Sequence, residues 1–181
     1  MKSAKVAIFG GSFDPVHIGH IEVMKKALEE LDMDRLIVVP TYISPFKKGH
    51  AAPARKRLEW LKRATAFDPR IEVSDYEIKR DGKSFSYDTV KHFKHFFDTI
   101  YLIIGADNLP SLKKWHRFKD LDKMVKWVVA TRSGQDVPEG FIRLDVDVPI
   151  SSTELRSRID PKWIPEPIRE EVVKYYNRLG E

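Results

Sequence analysis

Two histidines three residues apart, His17 and His20, stand in the run GGSFDPVHIGH at residues 10–20, beside two glycines, an aspartate and a proline. At that spacing both imidazoles project from one side of a first helical turn. They are then placed to donate hydrogen bonds to an anion or, with Asp14, to bind a metal. Gly10 and Gly11 permit backbone angles closed to other residues and let a phosphate approach the main chain. Asp14 reads as a helix N-cap with Pro15 at the first helical position, and the N–H groups of such a start attract anions. The run is neither a P-loop nor a dinucleotide fingerprint, since Gly-Lys-Ser/Thr and a third correctly spaced glycine are both missing. A catalytic zinc site asks for a third strong ligand, and the spacing matches no common zinc pattern. From residue types alone, phosphate binding, metal binding and a plain strand-to-helix connection all stay open. His92 and His95 share the spacing but sit beside Lys91 and Lys94. They lie away from Val90, Phe93 and Phe97 and read as a solvated helix face.

The elements that must position these residues alternate along the chain. Lys5 to Phe9 reads as a strand, and Ile18, Ile21, Met24, Ala27, Leu28 and Leu31 then mark one face of a helix. Leu36 to Val39 is a buried strand stopped by Pro40; Pro53 opens a helix carrying Leu58, Leu61 and Ala64 inward. A short strand at Ile71 to Val73 precedes a helical stripe of Tyr87, Val90, Phe93 and Phe97. Tyr101 to Ile104, Trp127 to Ala130 and Ile142 to Leu144 read as further strands, the second preceded by a short helix. Helices near Ser152 to Ile159 and Pro167 to Leu179 close the chain. This alternation predicts an α/β fold with a doubly wound parallel sheet. Ligands in such sheets bind outside the carboxyl ends of the strands, where the strand order reverses. The loops at 10–20, 40–50, 105–116 and 131–134 are therefore the informative ones.

Composition narrows the partners. The 181 residues suit one domain. Cysteine is absent, which excludes disulfides, thiolate zinc sites and cysteine nucleophiles. No apolar run approaches the roughly 20 residues of a membrane span. Met1 to Lys5 leads straight into the first strand with no room for a secretory leader, so a cytoplasmic location is expected. The net charge of +5 favours anionic partners without choosing among nucleotides, nucleic acid and a mildly basic surface. The cationic clusters Lys47-Lys48, Arg55-Lys56-Arg57 and Lys113-Lys114 are shorter than a nucleic-acid-binding tail and read mainly as solvated faces.

A second motif, ISSTELR at residues 150–156, reads alone as a capping-box-like helix start. Together, GGSFDPVHIGH and ISSTELR resemble the paired signatures of the nucleotidyltransferase superfamily. The segments VVP, RDGKSFSYDTV, IIGADNLPSLKKWHRF and VVATRSG extend the resemblance over nearly the whole chain. They follow the order of the bacterial nicotinate mononucleotide adenylyltransferase family. That likeness implies a single nucleotidyltransferase domain over residues 1–181 with a Rossmann-like fold. The implied reaction moves the adenylyl group of ATP onto nicotinate mononucleotide, giving nicotinate adenine dinucleotide and pyrophosphate in NAD biosynthesis, with Mg2+ carried by ATP and no protein metal site. It implies catalytic roles for His17, His20 and Arg156. ATP contacts are implied from Gly10, Gly11, Ser12, Phe13, Gly105, Asp107, Arg132, Ser151, Ser152 and Thr153. Lys47, Ser86, Thr89 and Trp115 are implied to bind the acceptor, with Trp115 stacking on the pyridine ring. Many relatives carry Pro-Pro-His-Lys after the second strand where this chain reads Ser44-Pro45-Phe46-Lys47, so only the lysine charge carries over. The partners expected are two nucleotides, neither nucleic acid nor membrane, with monomer and homodimer both open. The alternatives are an acceptor such as nicotinamide mononucleotide or phosphopantetheine, a non-catalytic nucleotide or nucleic-acid binder, and a zinc hydrolase built on His17 and His20.

Overall fold

The computed structural model describes residues 4–42, 51–131 and 135–179. In chain order the elements are β1 (Lys5–Gly11), α1 (Ile18–Glu30), β2 (Arg35–Pro40), α2 (Ala54–Ala64), β3 (Ile71–Val73), α3 (Tyr76–Arg80), α4 (Ser86–Phe93) and β4 (Thr99–Gly105). After a 3-10 stretch at Ala106–Lys114 come α5 (Phe118–Met124), β5 (Lys126–Thr131), β6 (Ile142–Asp145), α6 (Ser152–Ser157) and α7 (Arg169–Leu179). The strands form one six-stranded sheet in the order β3-β2-β1-β4-β5-β6, and every neighbouring pair is parallel. The expected doubly wound α/β architecture is present. The order reverses between β1 and β4, whose carboxyl ends, Gly10-Gly11 and Gly105, flank the crevice.

Strand residues alternate between two cores. Ala7, Phe9, Leu36, Val38, Tyr101 and Ile103 face α1, α2 and α7. Val6, Ile8, Ile37, Val39, Leu102 and Ile104 face α4 and α5. Because the central strands are buried on both faces, they read as continuous apolar runs.

Local structure departs from expectation at the first loop. Helix α1 starts at Ile18 with His17 as its N-cap. Asp14 is held elsewhere: its carboxylate accepts the N–H groups of Ala51 (2.7 Å) and Ala52 (3.0 Å), and the Tyr176 hydroxyl of α7 also donates to it. Gly10 and Gly11 lie within β1, and the left-handed backbone near this turn belongs to Phe13, at φ 49°. Helix α4 is shorter than its apolar stripe, so Phe97 is reached through a turn. His92 is half-buried and stacked on Tyr76 at 3.9 Å, which corrects the solvated reading for that histidine; His95 is exposed.

Candidate active site

The two histidines at the start of α1 fix each other. His17 Nδ1 accepts the N–H of Gly19 at 3.0 Å, and His20 Nδ1 accepts the N–H of His17 at 3.1 Å. The rings stack with centroids 3.8 Å apart, and Phe13 supports His20 from behind at 4.8 Å. An Nδ1 that accepts carries no hydrogen, so each neutral ring has its hydrogen on Nε2 and offers a donor there. Burial, then the neighbouring His17, holds His20 well below the usual imidazole range, so it is neutral at physiological pH. Metal ligation through Nδ1 would break these caps, and among the described residues no group of three or more His, Asp or Glu side chains could hold a metal ion.

Gly19 is the residue that lets His17 fold back. A Cβ at this position would stand 2.7 Å from His17 Cε1 and 2.9 Å from its Nδ1. Gly19→Ala should therefore push the His17 ring off its cap, the loss of about 1 kcal/mol with the cap being offset by the similar gain in helix propensity. Misplacement of such a group by about 1 Å costs up to about 10²-fold in rate. The expected result is a fall in kcat of about tenfold or more with an unchanged thermal melt, read by steady-state kinetics beside circular dichroism.

The second motif meets the first. Ser151 caps α6, its Oγ accepting the Glu154 N–H at 3.2 Å. Ser152 Oγ donates to the Pro15 carbonyl at 2.9 Å, and Arg156 Nη1 donates to the Asp14 carbonyl at 2.8 Å. Arg156 Nη2 also reaches Thr153 Oγ1, at 3.3 Å. The Ser152–Pro15 and Arg156–Asp14 bonds join segments far apart in sequence and staple α6 to the loop that leads into α1.

Two cavities open at the carboxyl ends of β1 and β4. One, of about 540 Å³, is lined by Gly10, Gly11 and Ser12 on one side and by Phe85, Ser86, Thr89, Trp115 and His116 on the other. The second, of about 500 Å³, is lined by His17, His20, Asp107, Ser151 and Ser152. Gly105 and Asn108 line both. At Gly105 a Cβ would stand 2.7 Å from Asp107 Oδ1, so this glycine admits the carboxylate to the strand end. Asn108 Nδ2 donates to the Gly105 carbonyl at 3.2 Å. Trp115 is half-buried: its ring packs edge-on against Trp127 at 6.2 Å and also borders the first cavity. Phe85 lies against His116, with ring centroids 4.5 Å apart.

Of the residues singled out in the sequence, Gly10, Gly11, Ser12, Ser86, Thr89 and Trp115 thus share the first cavity. His17, His20, Asp107, Ser151 and Ser152 share the second, and Gly105 belongs to both. Phe13 is 2% exposed and supports the histidines from the core. Thr153 is exposed beside Arg156. Lys47, Phe46 and Arg132 lie outside the described residues.

Three participants escaped the sequence. Asn108 has no motif of its own. Arg57, read as part of a solvated cluster, is 1% exposed. Its Nε donates to Ala52 O (2.9 Å), Nη1 to Ser12 O (2.8 Å) and Thr41 O (2.7 Å), and Nη2 to Tyr42 O (3.2 Å). One guanidinium thus holds the loops after β1 and β2 against the entry to α2. Glu77, in the charged run YEIKR, looks solvated in sequence but is buried against the first cavity, its Oε2 2.6 Å from Thr89 Oγ1.

Comparison with known proteins agrees with this geometry. A family model described as cytidylyltransferase-like matches residues 8–158. A protein of Aliarcobacter butzleri named "Probable nicotinate-nucleotide adenylyltransferase" is 46% identical over 173 residues, covering 93% of this chain and 95% of its own. A protein of the same name from a Nitratiruptor species is 43% identical over 174 residues, covering 95% and 98%. The solved Plasmodium falciparum nicotinic acid mononucleotide adenylyltransferase complexed with NaAD superposes with a TM-score of 0.73 at 20% identity, over 96% of each chain, and so shares the fold. The chain belongs to the cytidylyltransferase-like family, in its nicotinate-nucleotide adenylyltransferase branch.

Proposed function

We propose that this chain transfers the adenylyl group of ATP to nicotinate mononucleotide, releasing pyrophosphate and forming nicotinate adenine dinucleotide in NAD biosynthesis. The observation that carries this is the pair of adjoining cavities at the strand-order reversal, meeting at Gly105 and Asn108, with the stacked histidines in one and Trp115 bordering the other. The names of the curated relatives support the same reaction.

The acceptor's 5′-phosphate is already an anion at neutral pH, so its in-line attack on the α-phosphorus of ATP needs no general base. Catalysis is then positioning and charge stabilisation. ATP, arriving as its magnesium complex, lies in the second cavity. Nε2–H of His17 and of His20 donates to charge developing on the α-phosphate and the departing pyrophosphate. Ser151, Ser152, Thr153 and Arg156 hold the triphosphate at the start of α6. The Asp107 carboxylate accepts from ribose hydroxyls. In the first cavity Trp115 stacks on the pyridine ring, and Ser86 and Thr89 meet its substituent. The aromatic walls formed by Trp115, Phe85 and His116 suit a flat ring better than the flexible arm of phosphopantetheine.

The test is pyrophosphate release from magnesium-ATP, measured separately with nicotinate mononucleotide, nicotinamide mononucleotide and phosphopantetheine. Release with a pyridine nucleotide, fastest with nicotinate mononucleotide, is expected. Release with phosphopantetheine alone, or with none of the three, overturns the reading.

A further inference from the structure

Glu77 sits on α3 with its carboxyl in the wall of the first cavity, 6% exposed, and the reaction scheme above gives it no task. Its hydrogen-bond partner is Thr89 on α4, which lines the same cavity. Ser84 Oγ, buried on that wall, has no hydrogen-bond partner among the described residues. The charged groups facing Glu77 are Arg80 on its own helix and Asp88 on α4, which stand 3.9 Å from one another. Lys114 and His116, from the segment after β4, also line the cavity. Burial outweighs the Thr89 hydrogen bond and the Arg80 charge and pushes the carboxyl up to about 7. Both protonation states are therefore populated near neutral pH.

A threonine hydroxyl has one hydrogen to give. An ionised carboxylate only accepts, so with Glu77 ionised the hydrogen of Thr89 is committed to it, and Thr89 turns lone pairs to the cavity. A protonated Glu77 donates to Thr89 instead and releases the threonine hydrogen towards the cavity. The first state complements an amide N–H. The second complements a carboxylate, and it also removes a like charge from that wall.

We propose that Glu77 is a specificity-determining residue of the acceptor cavity, its proton setting through Thr89 whether the site favours an acidic or an amide pyridine nucleotide. Glu77 is a positioning residue here, acting through Thr89. The inference rests on the adenylyl-transfer reading given above and goes beyond it.

The experiment compares kcat/KM for nicotinate mononucleotide with that for nicotinamide mononucleotide, at about pH 6 and about pH 8.5. The ratio cancels the titration of the phosphate common to both nucleotides and of the rest of the enzyme. In the wild-type protein the acid-to-amide ratio should fall with rising pH, by up to about thirtyfold for a single required proton. Glu77→Gln, which can donate to Thr89 at every pH, should hold the ratio high and level. Thr89→Val, isosteric and without a hydroxyl, should lower the ratio at about pH 6 and leave only the smaller fall with pH that the Glu77 charge itself causes. A wild-type ratio that does not change with pH overturns the inference, as does an equal fall in Glu77→Gln. Activity on neither nucleotide would overturn the adenylyl-transfer reading and this inference with it, whereas a level ratio overturns this inference alone.

Discussion

Replacing His17 by alanine is expected to lower kcat by about 10²–10³-fold, the usual loss on removing one pre-positioned donor to a developing negative charge. The same side chain caps α1 through the Gly19 N–H, so the variant should also lose about 1 kcal/mol of stability. In a chain of this size that lowers the melting temperature by a few degrees and leaves the fold intact. The two roles separate in His17→Asn. Asparagine is a good N-cap and should restore the melting temperature, but its shorter amide does not place a donor where Nε2 stands, so turnover should stay low. Steady-state kinetics and thermal melts on the three proteins give the answer. Turnover within a few-fold of wild type in His17→Ala would remove the histidine from the phosphate chemistry.

The largest effect on stability is expected at Arg57. Its guanidinium bonds the carbonyls of Ser12, Thr41, Tyr42 and Ala52, and it is buried beside the Asp14 carboxylate, whose charge offsets part of the cost of burial. Arg57→Ala strands those carbonyls and leaves Asp14 without its neighbouring cation. The expected loss is about 3–5 kcal/mol, read as a lower urea midpoint at constant slope. Arg57→Lys should recover little of it, because an ammonium lacks the planar fork that spans several carbonyls. Ser12 lines the first cavity, so whatever folded protein remains should bind the acceptor nucleotide more weakly. A midpoint within about 1 kcal/mol of wild type would mean that the loops are held by other contacts.

The parallel sheet was legible in the sequence because its central strands are buried on both faces and therefore appear as unbroken β-branched and aliphatic runs. The histidine pair was legible for a similar reason, since a spacing of three residues at a strand-to-helix junction has few bland explanations. What could not be read was which side chains the tertiary structure recruits. Asp14 looks like an N-cap in a linear reading because Pro15 follows it, yet Ala51, Ala52 and Tyr176, distant along the chain, take its carboxylate. His17 caps the helix in its place. Arg57 looked solvated because its neighbours Arg55 and Lys56 are, and they are exposed in the fold. One turn of α2 rotates Arg57 inward, where carbonyls from two loops await a donor. Glu77 was hidden in the same way, since only the approach of α4 brings Thr89 to it. Gly19 is the one residue of this group that the sequence itself marks. A glycine between two histidines at a helix start is costly for the helix, and the space it leaves is filled by the His17 ring.

The adenylyl transfer is tested most directly by following the phosphorus atom that the histidines are proposed to face. ATP radiolabelled at the α-phosphorus is incubated with the protein, magnesium and nicotinate mononucleotide, and the products are separated. The label should move into the dinucleotide while unlabelled pyrophosphate is released in equal amount. Label appearing as free AMP, or remaining in ATP while the acceptor is left unchanged, would contradict it.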